Sequence, residues 1–530
     1  MTSRTITFRG SSYPLVLPST RDPRLHVAAV ILSVHLLGQV GLGFRLSVPQ
    51  LLAAMLTCAV IEIVLTFRQS RSFVWPASAM LTGSGVALIL RVVGTPADDR
   101  WSTYGWYVFA AVAGLSLLTK YVIRYRGTHV FNPSNVGLVA AFLVLGSSRA
   151  EPLDFWWAPL NGWMIAAYAI IIVGGLLITR RLHLLALVAT FWIGLSVGVG
   201  ILAVSGHCMT ANWAFAPVCG ADFWRVIVTS PEVLIFLFFM ITDPKTIPAG
   251  NVARVAFGLL VAVASTLLMA PQTNEFGTKV GLLAGLVIVC AGRPLLERLL
   301  PEPGSATDDL RRFATRLAVG VPAGGRIVGS AVRVGLIAAA LLVVGAGIVA
   351  AGTPAREVTA PDVAEVLNGV PRNVDPDTFP PITVAQDVLD FDPALPGPRA
   401  QQILLALAEN LELENQAFLR ADPSILVAVD HGDRLKEMQG RLDDAVTSGQ
   451  TVVTHYQFDA VHVILIVPFG VQTGMSLGFE SRGTATEETY DSTGGLQGRR
   501  TSRFALTFAV RRATGARWLN VAVLPVEAAP

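Results

Sequence analysis

The 530-residue sequence predicts an α-helical polytopic membrane protein: about ten spans as two inverted five-helix repeats, an eleventh span, and then an extracytoplasmic α+β domain. Three observations carry this reading. Hydrophobic residues make up 52% of the chain and charged ones only 15%, whereas an ordinary soluble domain carries about 25% charged residues. Apolar runs on the scale of the ~30 Å hydrocarbon layer recur eleven times. Beyond the last of them the pattern changes to helical spacing and then to strand alternation.

The runs fall at 26–45, 47–67, 74–94, 104–121, 131–147, 161–179, 184–204, 230–244, 252–270, 278–296 and 328–351. Residues 1–25 are polar and mixed, with no cleavable signal, and form a cytoplasmic N-terminal segment. The net charge of +3 matters less than where the cations lie. Arg68 and Arg71 follow the second run, Lys120, Arg124 and Arg126 stand at and beyond the end of the fourth, Arg180 and Arg181 follow the sixth, Lys245 and Arg254 the eighth, and Arg293 and Arg298 stand at and beyond the end of the tenth. The intervening loops carry fewer cations, Arg100, Arg149 and Arg225 among them, beside acidic, aromatic and small residues. Cations on alternate loops put the N-terminus in the cytoplasm, and eleven crossings put everything after Ala351 outside.

The first ten runs (26–298) divide into two fives that start from opposite sides, so a repeat relating them is inverted. Each half has an unusual third member. Run 75–90, WPASAMLTGSGVALIL, holds Pro76, Ser78, Thr82, Gly83, Ser84 and Gly85, whose small side chains serve close helix packing or line a site. Run 230–244 ends in Thr242-Asp243-Pro244-Lys245-Thr246 and is expected as a broken helix.

Residues 299–327 read as a cytoplasmic linker rich in Pro, Gly and Arg, with an amphipathic surface segment near 310–317. The eleventh span, 328–351, leads to a Pro-rich connector at 352–398 and an α+β domain at 399–530. Ile403, Leu404, Leu407, Leu411 and Phe418 predict one helix and 433–447 a second. Strands are expected at 452–458, 461–467, 475–480, 504–511 and 517–524, in a pattern like a cystatin-like or nuclear-transport-factor-like cone. His431, His455 and His462 are expected as surface or core residues.

Cys58 and Cys290 lie inside apolar runs, as small core residues. Cys208 and Cys219 share one loop, HCMTANWAFAPVC, which the topology places outside, so a disulfide is expected between them. No metal-ligand spacing accompanies them, and no metal site is expected.

The stretch that organises the chain is KYVIRYRGTHVFNPSNVGL (120–138). Asn132, Pro133, Ser134 and Asn135 open a membrane helix with polar groups, which is costly unless they face protein, water or a ligand. Broken-helix ends offer unpaired backbone groups to an anion or a cation. Asn132, Ser134 and Asn135 have donors and acceptors for a ring edge or carbonyl, and Lys120, Arg124 and Arg126 either meet a phosphate or anchor the cytoplasmic face. Asp243, with Thr242 and Thr246 beside it, ends an apolar run where a carboxylate needs a partner. Arg124, Lys120 or Lys245 is the expected one. Glu62, within the second run, is a further buried carboxylate, and Glu62 and Asp243 are candidates for an ion path.

SAMLTGSGVALIL, then KYVIRYRGTHVFNPSNVG, then FFMITDPKTIP, in that order, resemble the NqrB/RnfD family of electron-transport membrane subunits, most nearly its UnbU-like branch associated with enediyne biosynthesis. The resemblance covers about 70–298. It implies ten spans in two inverted fives, work within a redox-linked complex, and flavin binding. Some family members hold FMN through a phosphoester to a Thr in a Ser-Gly-Ala-Thr box. This chain has no such box, so flavin (FMN or riboflavin) would be held non-covalently. Asn132, Pro133, Ser134, Asn135, Thr242, Asp243, Thr246, Lys120 and Arg124 are the cofactor-binding candidates.

The leading expectation is therefore a membrane subunit of a redox-linked electron-transport assembly, with ion transport as a coupled activity. The chain has no cluster-binding cysteine set, haem motif or dinucleotide fingerprint, so electrons would come from other membrane or soluble redox subunits. Two other readings stand beside it. One is a channel or transporter without redox chemistry. The other is a membrane anchor whose outer domain recruits an extracytoplasmic protein partner. Nothing points to nucleic acid.

Overall fold

The computed structural model describes residues 2–8, 11–19, 22–96, 99–152, 162–209, 211, 218–319, 330–353, 363–466, 476–512 and 517–526. The chain forms two compact units, the first carrying the apolar helices up to Val358 and the second beginning at Thr359.

In the first unit, strands β1 (Thr2–Phe8) and β2 (Ser11–Leu17) form an antiparallel hairpin that the sequence reading missed, and β2 pairs in parallel with β3 (Phe73–Val74). The helices are α1 (Pro23–Val40), α2 (Val48–Ser70), α3 (Ala77–Ile89), α4 (Trp106–Val122), α5 (Pro133–Leu145), α6 (Gly162–Arg181) and α7 (Leu185–Val204). They continue with α8 (Gly220–Thr229), α9 (Pro231–Ile235), α10 (Asn251–Met269), α11 (Glu275–Leu299), α12 (Leu310–Val319) and α13 (Ser330–Ala351).

Among the described residues, seven helical stretches are long and apolar enough to cross a membrane: α1, α2, α6, α7, the run Gly220–Met240, α10 and α11. Three of the other four expected spans are shorter, with 13 residues in α3, 17 in α4 and 13 in α5, and the fourth, in α13, contributes the shorter apolar stretch Ala338–Ala351. At ~1.5 Å per residue, 13 residues reach about 20 Å. Local chemistry sets these limits. Run 74–94 is helical only between Pro76 and Leu90, where the chain turns extended as β4 (Leu90–Val92) and pairs with β7 (Ala150–Pro152), tied by an Arg91–Glu151 salt bridge. α5 begins at Pro133 and stops at Gly146, whose φ of 71° suits glycine. The eighth run extends back to Gly220 and is interrupted at Ser230-Pro231, where Pro231 opens α9 and the Ser230 hydroxyl caps it. Cys208 and Cys219 lie opposite each other in the pair β8 (Cys208–Met209) and β9 (Val218–Cys219) and are joined by a disulfide.

Small residues let the helices touch. A Cβ on Gly83 of α3 would lie 2.5 Å from the Ala54 carbonyl oxygen of α2. Gly194 and Gly198 of α7 face Ala262 and Thr266 of α10, and Gly281 and Gly285 of α11 face Leu268 and Ser265. Gly83→Val is therefore expected to cost at least the ~1–3 kcal/mol typical of overpacking and to lower the thermal midpoint in detergent. Gly292→Val, whose Cβ would meet nothing within 4 Å, should not.

The second unit contains α14 (Val363–Val366), α15 (Gln386–Phe391), α16 (Pro398–Arg420), α17 (Pro423–Val429) and α18 (Gly432–Ser448). Its five-stranded sheet has the order β10 (Ile382–Val384), β11 (Gln450–Ile466), β12 (Ser476–Asp491), β13 (Leu496–Arg512), β14 (Trp518–Pro525). The last four strands form an antiparallel meander, and β10 runs parallel to β11. The strands expected at 452–458 and 461–467 are one strand, bulged between Phe458 and Ala460. β12 continues through Ser481–Asp491, beyond the strand expected at 475–480; TATEETY alternates and is rich in β-branched Thr, which fits a half-exposed strand. α16 lays Ile403, Leu404, Leu407 and Leu411 against Val461, Val463, Phe479 and Phe508. Leu367 and Val370, from the Pro-rich stretch 352–398, are buried in a second cluster with Phe418 and Leu426.

Two polar contacts in this unit are informative. The Arg434 guanidinium makes a fork with Glu414, 3.1 Å from Oε1 and 2.5 Å from Oε2, with both side chains at most 6% exposed. Asn520 Nδ2 donates to the same carboxylate at 2.8 Å. Nearer the surface, His455 Nδ1 lies 3.1 Å from Glu412 Oε2. The hydrogen bond that His455 donates to Glu412 holds the imidazole above its ordinary value, against the effect of burial. Burial alone would raise Glu412, but hydrogen bonds from His455, Asn415 and Gln416 bring it below the usual range. The histidine's contribution is therefore complete below the unfolded value of ~6.5 and lost as pH rises through the higher folded value. The carboxylate's contribution is lost as pH falls through its lowered folded value. With His455 partly exposed the pair is worth no more than ~1 kcal/mol. Melting of the full-length protein at pH 6 and pH 8 should show a small alkaline loss that Glu412→Gln removes.

Candidate functional site

The site is built where α4 ends and α5 begins. α4 gives way at Ile123 to a small hairpin of β5 (Arg124–Tyr125) and β6 (Thr128–His129). Arg126 and Gly127, at φ of 46° and 83°, make its two-residue turn. The hairpin pairs Arg124 with His129 and brings His129, 7% exposed, back to the helices. Asn132 then caps α5. Its Oδ1 accepts from the Asn135 backbone N–H at 3.3 Å and from the Ser134 hydroxyl at 2.8 Å.

The second box follows a π-helical turn, Phe236–Met240, that continues α9. Such turns are frequent at functional sites and leave carbonyls to be satisfied otherwise. Here Asn132 Nδ2 donates to the Met240 carbonyl at 3.0 Å, so one amide serves both broken helices. Thr242 donates back to the Phe238 carbonyl at 2.5 Å. Asp243 Oδ2 meets His129 Nε2 at 3.0 Å, and its Oδ1 accepts the Lys245 N–H at 3.1 Å. Thr246 donates to the Asp243 carbonyl at 3.1 Å.

Both boxes line one cavity of about 540 Å³, within the size range of small-molecule sites. Its polar lining includes Lys120, Asn132, Ser134, Thr242, Asp243 and Lys245, and its apolar lining includes Leu81, Ile178, Phe238 and Phe239. Arg24 and Asp22 stand at the same cavity, the guanidinium 2.6 Å from the carboxylate, which it holds below its ordinary range. Lys120 Nζ lies 3.1 Å from Glu62 Oε1 and 3.3 Å from the Ser78 hydroxyl.

The geometry changes three expectations. The partner of Asp243 is His129, not Arg124, Lys120 or Lys245. Lys120 is held by the buried Glu62, Lys245 offers its backbone N–H, and Arg124 is exposed and donates to the Gly127 carbonyl. Arg124 does not line the cavity. Asn135 does not line it either: Nδ2 donates to the Leu283 carbonyl of α11 at 2.9 Å. The sequence reading passed over His129, although an ionisable residue two positions before Phe131-Asn132 was a signal. It also passed over Arg24 and Asp22, whose place at the cavity follows from α1 packing on α3.

A second, smaller cavity of about 40 Å³ shares Leu88, Ile89, Ile235 and Met240 with the first and reaches Glu232 and Lys279. Lys279 Nζ is 2.6 Å from Glu275 and 3.4 Å from Glu232, within the apolar bundle. Among the described residues no cluster of His, Cys, Asp and Glu is set to hold a metal. Compared with known proteins, the chain matches no family model and no curated protein.

Proposed function

We propose that this protein is an integral membrane subunit of a redox-linked electron-transport assembly and holds a flavin, FMN or riboflavin, non-covalently between its two interrupted helices. The observation that carries the reading is the shared cavity. It has an apolar, phenylalanine-bearing wall for a planar ring, side-chain amide and hydroxyl groups at Asn132, Ser134 and Thr242, and Lys120, Arg24, Lys245 and His129 around it. The start of α5 adds the positive end of a helix dipole, which favours an anionic group. The resemblance of the two boxes to NqrB/RnfD proteins supports flavin as the occupant. The protein's part is to bind and orient the ring and exclude water, while the cofactor supplies the electron chemistry.

The reading includes ten membrane passages in two inverted fives, with the three short helices completed by their extended flanks. Matching pairs of helices pack in both halves: α2 on α4 as α7 on α10, α4 on α5 as α10 on α11, and α1 on α3 as α6 on α9. α5 and α11 both start from an Asn cap, Asn132 and Asn274, followed by Val-Gly-Leu at 136–138 and 280–282. The alternating cations support a cytoplasmic N-terminus and an extracytoplasmic second unit.

Ion movement is the second reading, favoured by the apolar neck Leu88, Ile89, Ile235 and Met240 between the main cavity and the Glu232–Lys279–Glu275 cluster. Titration of the purified protein with riboflavin and FMN, read by flavin fluorescence, tests the leading reading. Saturable binding of either, tighter for FMN because of the basic groups, is expected. No binding of either, with ion flux into liposomes intact, would favour a channel.

A further inference from the structure

The second unit has a cleft of about 230 Å³ whose cause is legible in the chain. β10 runs beside β11 only from Ile382 to Val384, paired with Val461–Val463. Just before it stand Pro380 and Pro381. Proline has no N–H to donate, so the ladder stops there and the preceding segment turns away. Among the described residues, the edge of β11 before Val461 therefore has no neighbouring strand. At Thr454 that edge is closed by a side chain. Asn415 of α16 accepts from the Thr454 N–H and donates to the Thr454 carbonyl, each at 2.9 Å, as a residue of a paired strand would.

Because Thr454 faces outward, the period of two puts the N–H and C=O of Tyr456 on the same edge. Among the described residues no turn or loop backbone bonds them. Tyr456 and Phe458 line the cleft, whose other walls are Ala408, Leu411 and Glu412 of α16 and Asp375 and Phe379 of the connecting segment. Unpaired edge groups of this kind are a template for an added strand. Among the described residues lining the cleft, Asp375, Glu412 and His455 are the acidic and basic groups, and His455 already meets Glu412. The net acidic lining favours a basic occupant, with Phe379 and Phe458 as an apolar seat.

We infer that this cleft binds a short extended segment of a partner protein, basic in character, which pairs with Tyr456 as an additional strand. Its length is set by Asn415 at Thr454 and β10 at Val461, leaving positions 455–460 with their bulge, room for about five residues at ~3.3 Å each. The recognition is through main-chain hydrogen bonds, with one Lys or Arg meeting Glu412 and Asp375.

The test uses the full-length protein in nanodiscs and a fluorescent, acetylated and amidated peptide Thr-Val-Lys-Val-Thr, followed by anisotropy. Saturable binding is expected, weakened about tenfold or more when every peptide amide is N-methylated and likewise when Lys is replaced by Glu. Hydrogen exchange at the Tyr456 amide should slow on adding the peptide. Equal binding of the N-methylated peptide, no binding of the parent peptide, or displacement of it by butylamine at matched concentration would each overturn the inference. The first and last would mark a small-amine site instead. Asp375→Asn is expected to weaken the parent peptide several-fold and is chosen over a change at Glu412, which also holds His455.

Discussion

Replacing Arg434 by Met should destabilise the second unit by about 3–5 kcal/mol, the cost of leaving one member of a buried ion pair alone. Glu414 would keep its Asn520 hydrogen bond but lose both contacts from the guanidinium at a position 3% exposed. Asp430 adds to the cost. It is 1% exposed, and burial followed by the nearby Glu414 already pushes its carboxyl well above the usual range. Without Arg434 two acidic groups would share a dry site. Since the whole stability of a domain is about 5–15 kcal/mol, hydrogen exchange of β11–β14 in the full-length protein should accelerate by roughly a hundredfold to several thousandfold. The double change Arg434→Met, Glu414→Leu should recover much of the loss, because a well-packed apolar pair is often no worse than a buried ion pair. A double variant as unstable as the single one would mean that Arg434 acts through packing rather than charge.

The second large effect is expected at Asp243. A hydrogen bond to a charged group contributes about 1.5–3 kcal/mol, and the His129–Asp243 contact joins the hairpin β5–β6 to the broken end of the second box. Asp243→Ala should therefore weaken the proposed flavin binding by roughly tenfold to a hundredfold while the protein still elutes as a folded particle from size exclusion. His129→Ala should have a similar effect, and the two together should cost less than their sum, with a coupling of about 0.5–3 kcal/mol. Additive losses would mean that the two residues act separately. Asp243→Asn keeps the shape and a hydrogen-bond acceptor, so its smaller effect would measure the charge alone.

Much of this arrangement could be read from the chain, and the parts that could not have physical reasons. The apolar runs and the two polar boxes announced the helices and their breaks, because membrane helices leave a strong periodic signal and Asn132-Pro133 and Asp243-Pro244 interrupt it. Helix length was less legible. Leu90 and Val92 are as apolar as the helix before them, and only the pairing of this segment with Ala150–Pro152, distant in sequence, makes it a strand. The His129–Asp243 contact spans 114 residues and depends on the left-handed turn at Arg126-Gly127, which no local pattern ties to the second box. In the second unit the helix faces were clear from their spacing. β12 was cut short because a Thr- and Glu-rich strand with one wet face resembles a loop in composition.

The claim that the two broken helices form one flavin site is most directly tested by the visible absorbance of the full-length protein as purified, before and after dithionite and then after acid denaturation. The expected result is a flavin band in near-stoichiometric amount that bleaches on reduction and, after denaturation, remains entirely in the supernatant. A colourless protein that also takes up neither FMN nor riboflavin would contradict the site, and a flavin that pellets with the chain would contradict non-covalent binding.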